Sequence, residues 1–201
     1  MLGRDARKWL VWVGLLAFVW PLGDARSAGV SHLYVTWIGA EPDKGASAWY
    51  IKRHVDPQAI FQTAPEGYLF ESGTVFDAPQ GHYRRIQNAS TLETLLRDYP
   101  SSDPIIAKLG LLMHDIEINI WQPKRFPESI VIESRVKEIG TAYGDKGIPM
   151  SCFIAFFDGV ESWLRAGRTN ADLIPRPSAC IPVQGQNDAA HSAGMSQRMP
   201  R

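Results

Sequence analysis

The chain has 201 residues, with 21 basic and 21 acidic side chains and therefore no net charge at neutral pH. This balance excludes the strongly basic surface that binds nucleic acid or an anionic membrane, so we expect no nucleic-acid partner. The length is typical of one domain.

The first 27 residues have the three parts of a secretory signal peptide. Basic residues open the segment, an apolar run of about a dozen residues ends at Trp20, and the small residues Ala25 and Ser27 suit cleavage after Ser27. A membrane-spanning helix needs roughly 20 apolar residues, which disfavours the alternative of an uncleaved anchor. The segment therefore predicts an exported, periplasmic protein with no stable membrane insertion after cleavage.

The remainder divides into an expected domain over residues 28–164 and a tail over 165–201. Pro, Gly, Gln, Asn, Ser and Ala dominate the tail, so we expect it to be disordered. Outside the cytoplasm Cys152 and Cys180 can form a disulfide. A buried thiol at Cys152 with an incidental one at Cys180 agrees equally well with the sequence.

Strand patterns dominate the first half of the domain. β-Branched and aromatic residues predict a strand over 31–38, and the shorter runs at 59–63, 68–71, 74–77 and 83–86 predict further strands. Between the first two strands, Asp43 is the expected N-cap of a helix that runs to Val55.

Helix patterns dominate the second half. Residues 90–93 form a capping box for a short helix that ends before Pro100. Apolar residues at helical spacing predict a core helix over 104–121, and two more helices are expected over 128–143 and 148–164. This order predicts an α+β fold, in which a small sheet from the N-terminal half packs against a helical C-terminal half.

One segment resembles a known family signature. The segment reads Asp43-Lys44-Gly45-Ala46-Ser47-Ala48-Trp49-Tyr50-Ile51-Lys52-Arg53, then Val55-Asp56-Pro57. It is similar to the pattern D-(K/R)-x-A-S-A-W-L-I-(K/R)-R-F-I-D-P of the bacterial chromate-resistance family. That family comprises an exported protein and the C-terminal domain of the chromate-responsive ChrB regulator. Further resemblances follow in the family's order at Phe76-Asp77, Ser90 to Leu96, Met113 to Glu117, and Phe157-Asp158.

The resemblance implies an exported accessory protein of chromate resistance that binds chromate, another small oxyanion or a metal ion. Lys44, Arg53 and Arg85 are the candidates for the oxyanion, because guanidinium groups grip such anions through paired donors. Lys44 also lies in the first turn of a helix, where unpaired N–H groups favour an anion. Alternatively, Arg53 pairs with Asp56 or Glu93, and the other two are ordinary surface charges.

A second set of residues has the chemistry of a metal site. His114 and Glu117 share a helical face, and with Asp115 and Glu93 they could hold one divalent metal ion, with Asp77 as a further ligand. Such a site would support an alternative function, a metal-dependent enzyme acting on an anionic substrate.

The competing interpretation of this set is a solvated polar face in which Glu93 serves the capping box. The chain also departs from the family pattern here, since Ser90 replaces a cysteine and Glu117 replaces an aspartate. No pattern resembles a flavin, nicotinamide or haem site, and we expect none of these cofactors.

Overall fold

The computed structural model describes residues 32–168, 174 and 177–181. The signal peptide expected over 1–27 and most of the tail expected over 165–201 lie outside these residues. The fold is α+β, as predicted, with a small sheet from the N-terminal half and a mainly helical C-terminal half.

Three short parallel strands form the sheet in the described part of the chain. They are β1 (Leu33–Trp37), β2 (Ile60–Ala64) and β3 (Thr74–Val75), in the order β2-β1-β3. Leu33 is paired with Ile60, and Val35 with Val75. β1 is therefore the central strand, and the two strands that follow it in the chain lie on opposite sides of it. In open parallel sheets, ligands bind beyond the carboxyl ends of the strands at such a position.

Two of the expected strands are wrong. Residues 68–71 form a loop, because Tyr68 closes a turn onto the carbonyl of Pro65 and Gly67 adopts a φ of +86°. Residues 83–86 contribute only isolated bridges, from Tyr83 to Phe76 and from Ile86 to Ala89. Although both segments have strand-like sequences, neither lies beside a strand of the described sheet with which it could form a continuous ladder.

Five α-helices cover most of the rest of the described chain. They are α1 (Pro42–Tyr50), α2 (Thr91–Asp98), α3 (Pro104–Glu117), α4 (Pro127–Tyr143) and α5 (Met150–Arg165). The predicted capping box of α2 is confirmed, since Ser90 Oγ accepts from Glu93 N and Glu93 Oε2 accepts from Ser90 N at 2.7 Å. None of the helices within the described residues has the length and apolar character needed to cross a membrane.

Helix α3 ends earlier than its apolar pattern predicts. Its last residue is Glu117, and Ile120, which lies within the predicted span of 104–121, is 57% exposed. The Lys124 ammonium donates to the carbonyls of Asp115 and Ile116 at 3.1 and 2.9 Å. These bonds satisfy carbonyl groups that a longer helix would have used internally.

Helix α1 is the centre of the fold, since every residue from Asp43 to Tyr50 is buried. It packs against α2, α3 and α5 and continues into one π-helical turn, Ile51–Val55. A Cβ atom at Gly45 would lie 2.2 Å from Phe153 Cδ1, so the close approach of α5 requires glycine there.

The N-terminus of α1 differs from the prediction. Asp43 is not its N-cap; the helix begins two residues earlier, with Glu41 as N-cap and Pro42 as the first helical residue. Proline favours that position because its φ is already helical and its missing N–H group would have no partner there. The Asp43 carboxylate is left to act elsewhere.

A disulfide joins Cys152, on α5, to Cys180, in a short 3-10 turn at Ser178–Cys180. Both cysteines are buried, as is Ile174. Of the two interpretations that the sequence left open, the disulfide is therefore the one that the structure contains. It fastens part of the segment after α5 to the domain.

Candidate functional site

A cleft of about 450 Å³ lies at the carboxyl ends of β1 and β3. Its walls come from the end of β1, the start of α1, the segments around β3 and the end of α3. The charged residues that line this cleft are Glu41, Lys44, Glu66, Asp77, Arg84, Arg85 and Glu117. The cleft is therefore polar and carries both signs of charge.

Lys44 provides the buried cation of the cleft, with only 2% of its surface exposed. Its ammonium lies 2.7 Å from Glu41 Oε2 and 3.7 Å from Asp77 Oδ2. Gly39 makes room for this group, because a Cβ atom there would lie 2.5 Å from Lys44 Nζ and 2.1 Å from Glu41 Oε2. The loop before α1 thus fixes the position of the charge.

Asp77 follows β3 in a strained conformation, with a φ of +46°. Its N–H group donates to the Tyr83 carbonyl, and its carboxylate accepts from Thr91 Oγ1 at 2.7 Å. Burial raises the pKa of Asp77, while Lys44 opposes that rise. Strain and a raised pKa in one cleft residue are typical of functional sites.

Asp43 lies behind the cleft and joins α1 to α2. Its carboxylate accepts from the N–H groups of Thr91 and Leu92 at 2.5 and 3.0 Å, which are unpaired donors of the first turn of α2. Burial, followed by repulsion from Asp77, raises the pKa of Asp43 to about 8. The carboxyl group therefore serves as a cap supplied from another helix.

Arg85 and Glu117 form an ion pair in the cleft, with Nη1 2.8 Å from Oε2. The two partners differ in exposure, since 56% of the Arg85 side chain but only 11% of the Glu117 side chain is accessible. Burial raises the pKa of Glu117, and repulsion from Asp77 adds to the rise, whereas Arg85 opposes it.

The predicted oxyanion residues are only partly brought together. Lys44 and Arg85 line the same cleft, joined there by Arg84. Arg53 does not line it; its guanidinium binds the Asp158 carboxylate on α5 through two hydrogen bonds of 2.9 and 2.7 Å. The sequence-based alternative of a structural pair for Arg53 is therefore realised, although with neither of the partners it named.

The predicted metal ligands point in different directions. His114 Nδ1 lies 3.0 Å from Glu93 Oε2, whereas Glu117 is bound by Arg85 in the cleft. Asp115 faces away, and its carboxylate accepts from the N–H groups of Arg125 and Phe126 at the start of α4. Among the described residues, no group of three or more His, Cys, Asp or Glu side chains is arranged to hold a metal ion.

Comparison with known families identifies the family of the chain. The family model of the ChrB C-terminal domain matches residues 34–164. The chain belongs to this family, which is associated with chromate resistance. No curated protein and no solved structure matches the chain.

The segments that resemble the ChrB C-terminal domain serve two different parts of the structure. Asp43, Lys44, Asp77 and Glu117 lie in or beside the cleft. Phe157-Asp158 instead packs α5 against α1, where Asp158 Oδ1 accepts from the Trp49 indole at 2.9 Å. Trp49 is completely buried and belongs to the core.

Sequence reasoning on this ChrB C-terminal domain missed Glu41 and Glu66 as cleft residues. One local signal could have found Glu41: Pro42 follows it, and proline favours the first position of a helix, which makes Glu41 the N-cap. Glu66 had none, because it lies in an irregular loop whose position depends on the distant Trp37, which donates to the Tyr68 carbonyl.

Proposed function

We propose that this chain is an exported accessory protein of chromate resistance that binds chromate, or another tetrahedral oxyanion, in the cleft. One observation carries the proposal: Lys44, Arg84 and Arg85 line one cleft beyond the carboxyl ends of two parallel strands. Arginine binds tetrahedral oxyanions through paired donors, and a buried ammonium adds a charge that solvent screens poorly.

Calorimetric titration of the mature protein with chromate, and with redox-inert sulfate, tests this binding. We expect Arg85→Gln to weaken the affinity at least about tenfold, because a charge-assisted hydrogen bond is worth about 1.5–3 kcal/mol. Arg53→Gln is the matched control, because Arg53 lies outside the cleft, and it should bind as the wild type does. Absence of binding to either anion, or an Arg85 variant that binds normally, contradicts the proposal.

Export rests on the N-terminal pattern and is supported by the disulfide between Cys152 and Cys180, because such bonds persist in oxidising compartments. Expression of the full chain in a bacterium, followed by fractionation and mass spectrometry, tests it. We expect a periplasmic protein shortened by about 27 residues. A full-length chain with reduced thiols in the cytoplasm contradicts export.

A further inference from the structure

An oxyanion in the cleft would need the guanidinium group of Arg85, which is already paired with Glu117. Arg85 is the more accessible partner, so its guanidinium can turn toward a ligand. Glu117 is held at the end of α3 with its side chain only 11% exposed, and it cannot follow. A bound oxyanion therefore takes the place of the Glu117 carboxylate on Arg85, and Glu117 stays behind in the cleft wall.

The charge of the cleft makes that exchange costly unless a proton enters. Among the described lining residues, four are acidic and three are basic. A dianion would add two negative charges to a cleft that already has more carboxylates than cations. The side chains of Lys44, Asp77 and Glu117 are largely withdrawn from solvent, and water screens an added charge poorly beside such groups. Protonation of one carboxylate removes part of that cost.

The neighbours of Glu117 show which carboxyl group takes the proton. Asp43 keeps two backbone N–H donors from α2, and Asp77 keeps Thr91 Oγ1 and nearby Lys44, whether or not a ligand is bound. Glu41 is 52% exposed and paired with Lys44. Glu66 is exposed.

Among these described groups, Glu117 alone would lose a guanidinium donor. It would keep the backbone N–H group of Asp43 as a donor, but it would still face the carboxylates of Asp77 and Glu41.

We propose that the cleft takes up its oxyanion together with one proton, and that Glu117 is the group that accepts it. This inference rests on the proposed function and concerns the same site. The proton comes from solvent and converts the Glu117 carboxylate into a carboxylic acid. The O–H group then donates to an oxygen of the ligand, so that the former competitor for Arg85 becomes a donor in the complex.

Calorimetry with sulfate tests the proposal, because sulfate remains a dianion across the neutral range and cannot supply the proton. Titration at pH 7.5 in buffers of different ionisation enthalpy counts the protons that accompany binding. We expect about one proton taken up, and an affinity that falls about tenfold for each unit of rising pH.

Glu117→Gln should abolish both effects, since the amide cannot ionise yet still donates a hydrogen bond. Glu161→Gln, which removes a carboxylate outside the cleft, should keep both effects. Binding without proton uptake, or uptake that persists in Glu117→Gln, overturns this inference and leaves the proposed function intact. Absence of sulfate and chromate binding at any pH overturns both.

Discussion

Asp158 on α5 binds both Trp49 and Arg53, which lie on α1 and on the π-helical turn that continues it. Its Oδ1 atom accepts from the Trp49 indole and from Arg53 Nε, each at 2.9 Å, and its Oδ2 atom accepts from Arg53 Nη2. Burial acts to raise the pKa of Asp158, but the bonds from Arg53 and Trp49 outweigh it and hold that pKa below its ordinary value. This carboxylate therefore fastens two helices together.

The two sides of this contact should differ in their effect on stability. Asp158→Ala leaves the buried Trp49 indole without an acceptor and should lower the free energy of unfolding by about 2–3 kcal/mol. Arg53→Ala removes only a half-exposed ion pair and should cost less than about 1 kcal/mol. Urea denaturation measures both, and a larger loss from the Arg53 variant contradicts this order.

Gly39→Ala should weaken oxyanion binding while it leaves the fold intact. The added Cβ atom would come within 2.5 Å of Lys44 Nζ, so the ammonium and its partner Glu41 must move. We expect at least about a tenfold loss of sulfate affinity, because the loss of about 1.4 kcal/mol of binding free energy has that effect.

Gly159→Ala is the matched control for this variant. Its Cβ atom would lie 3.7 Å from Ile174 Cγ2, which is an ordinary van der Waals distance. Alanine is also more favourable than glycine within a helix. Sulfate affinity should be unchanged there. Normal affinity in Gly39→Ala would show that the position of the Lys44 ammonium does not matter for binding.

Asp115→Ala separates a structural role from a metal-binding one. The variant loses the acceptor for two N–H groups at the start of α4, and we expect the free energy of unfolding to fall by about 2–3 kcal/mol. Since these bonds need no metal, the loss should be the same with and without EDTA. A loss that disappears in EDTA would instead identify Asp115 as a ligand.

Asp43 should make the domain less stable as the pH rises. Its pKa is about 8 in the folded protein against an ordinary value of 3.8, so the unfolded chain ionises first. The contribution is complete below pH 4 and is lost progressively up to about pH 8. Urea denaturation at intervals across this range should therefore give a falling free energy of unfolding.

The variants Asp43→Asn and Asp158→Asn isolate this effect. Asp43→Asn should flatten the fall between pH 4 and 8, although the loss of one acceptor lowers stability overall. Asp158 has a lowered pKa, so Asp158→Asn should change the profile only on its acidic side. An unchanged slope in Asp43→Asn would mean that Asp43 is ionised in the folded protein at neutral pH.

Local signals account for the parts of the fold that the sequence predicted well. The capping box at Ser90 and Glu93 and the Asp103-Pro104 start of α3 involve neighbouring residues only, and both are present. The strands predicted at 68–71 and 83–86 do not form, because strand pairing depends on a partner that is distant in the sequence.

The same distinction holds for the site. The sequence predicted Lys44, Arg85 and Glu117 as site residues, and all three line the cleft. It did not predict that Arg85 and Glu117 bind each other across 32 positions, nor that Arg53 binds Asp158 across 105. Neither pair could be predicted from helix or strand periodicity, because the partners lie on elements that are distant in the sequence.

The burial of α1 on all sides has a consequence for when the chain can fold. Its apolar and small residues pack against α5, the last long helix described, so α1 has no stable surroundings until Met150–Arg165 is available. While the chain is being synthesised, that helix is missing until most of the domain has been made. Cooperative folding is thereby delayed until nearly the whole domain has been synthesised.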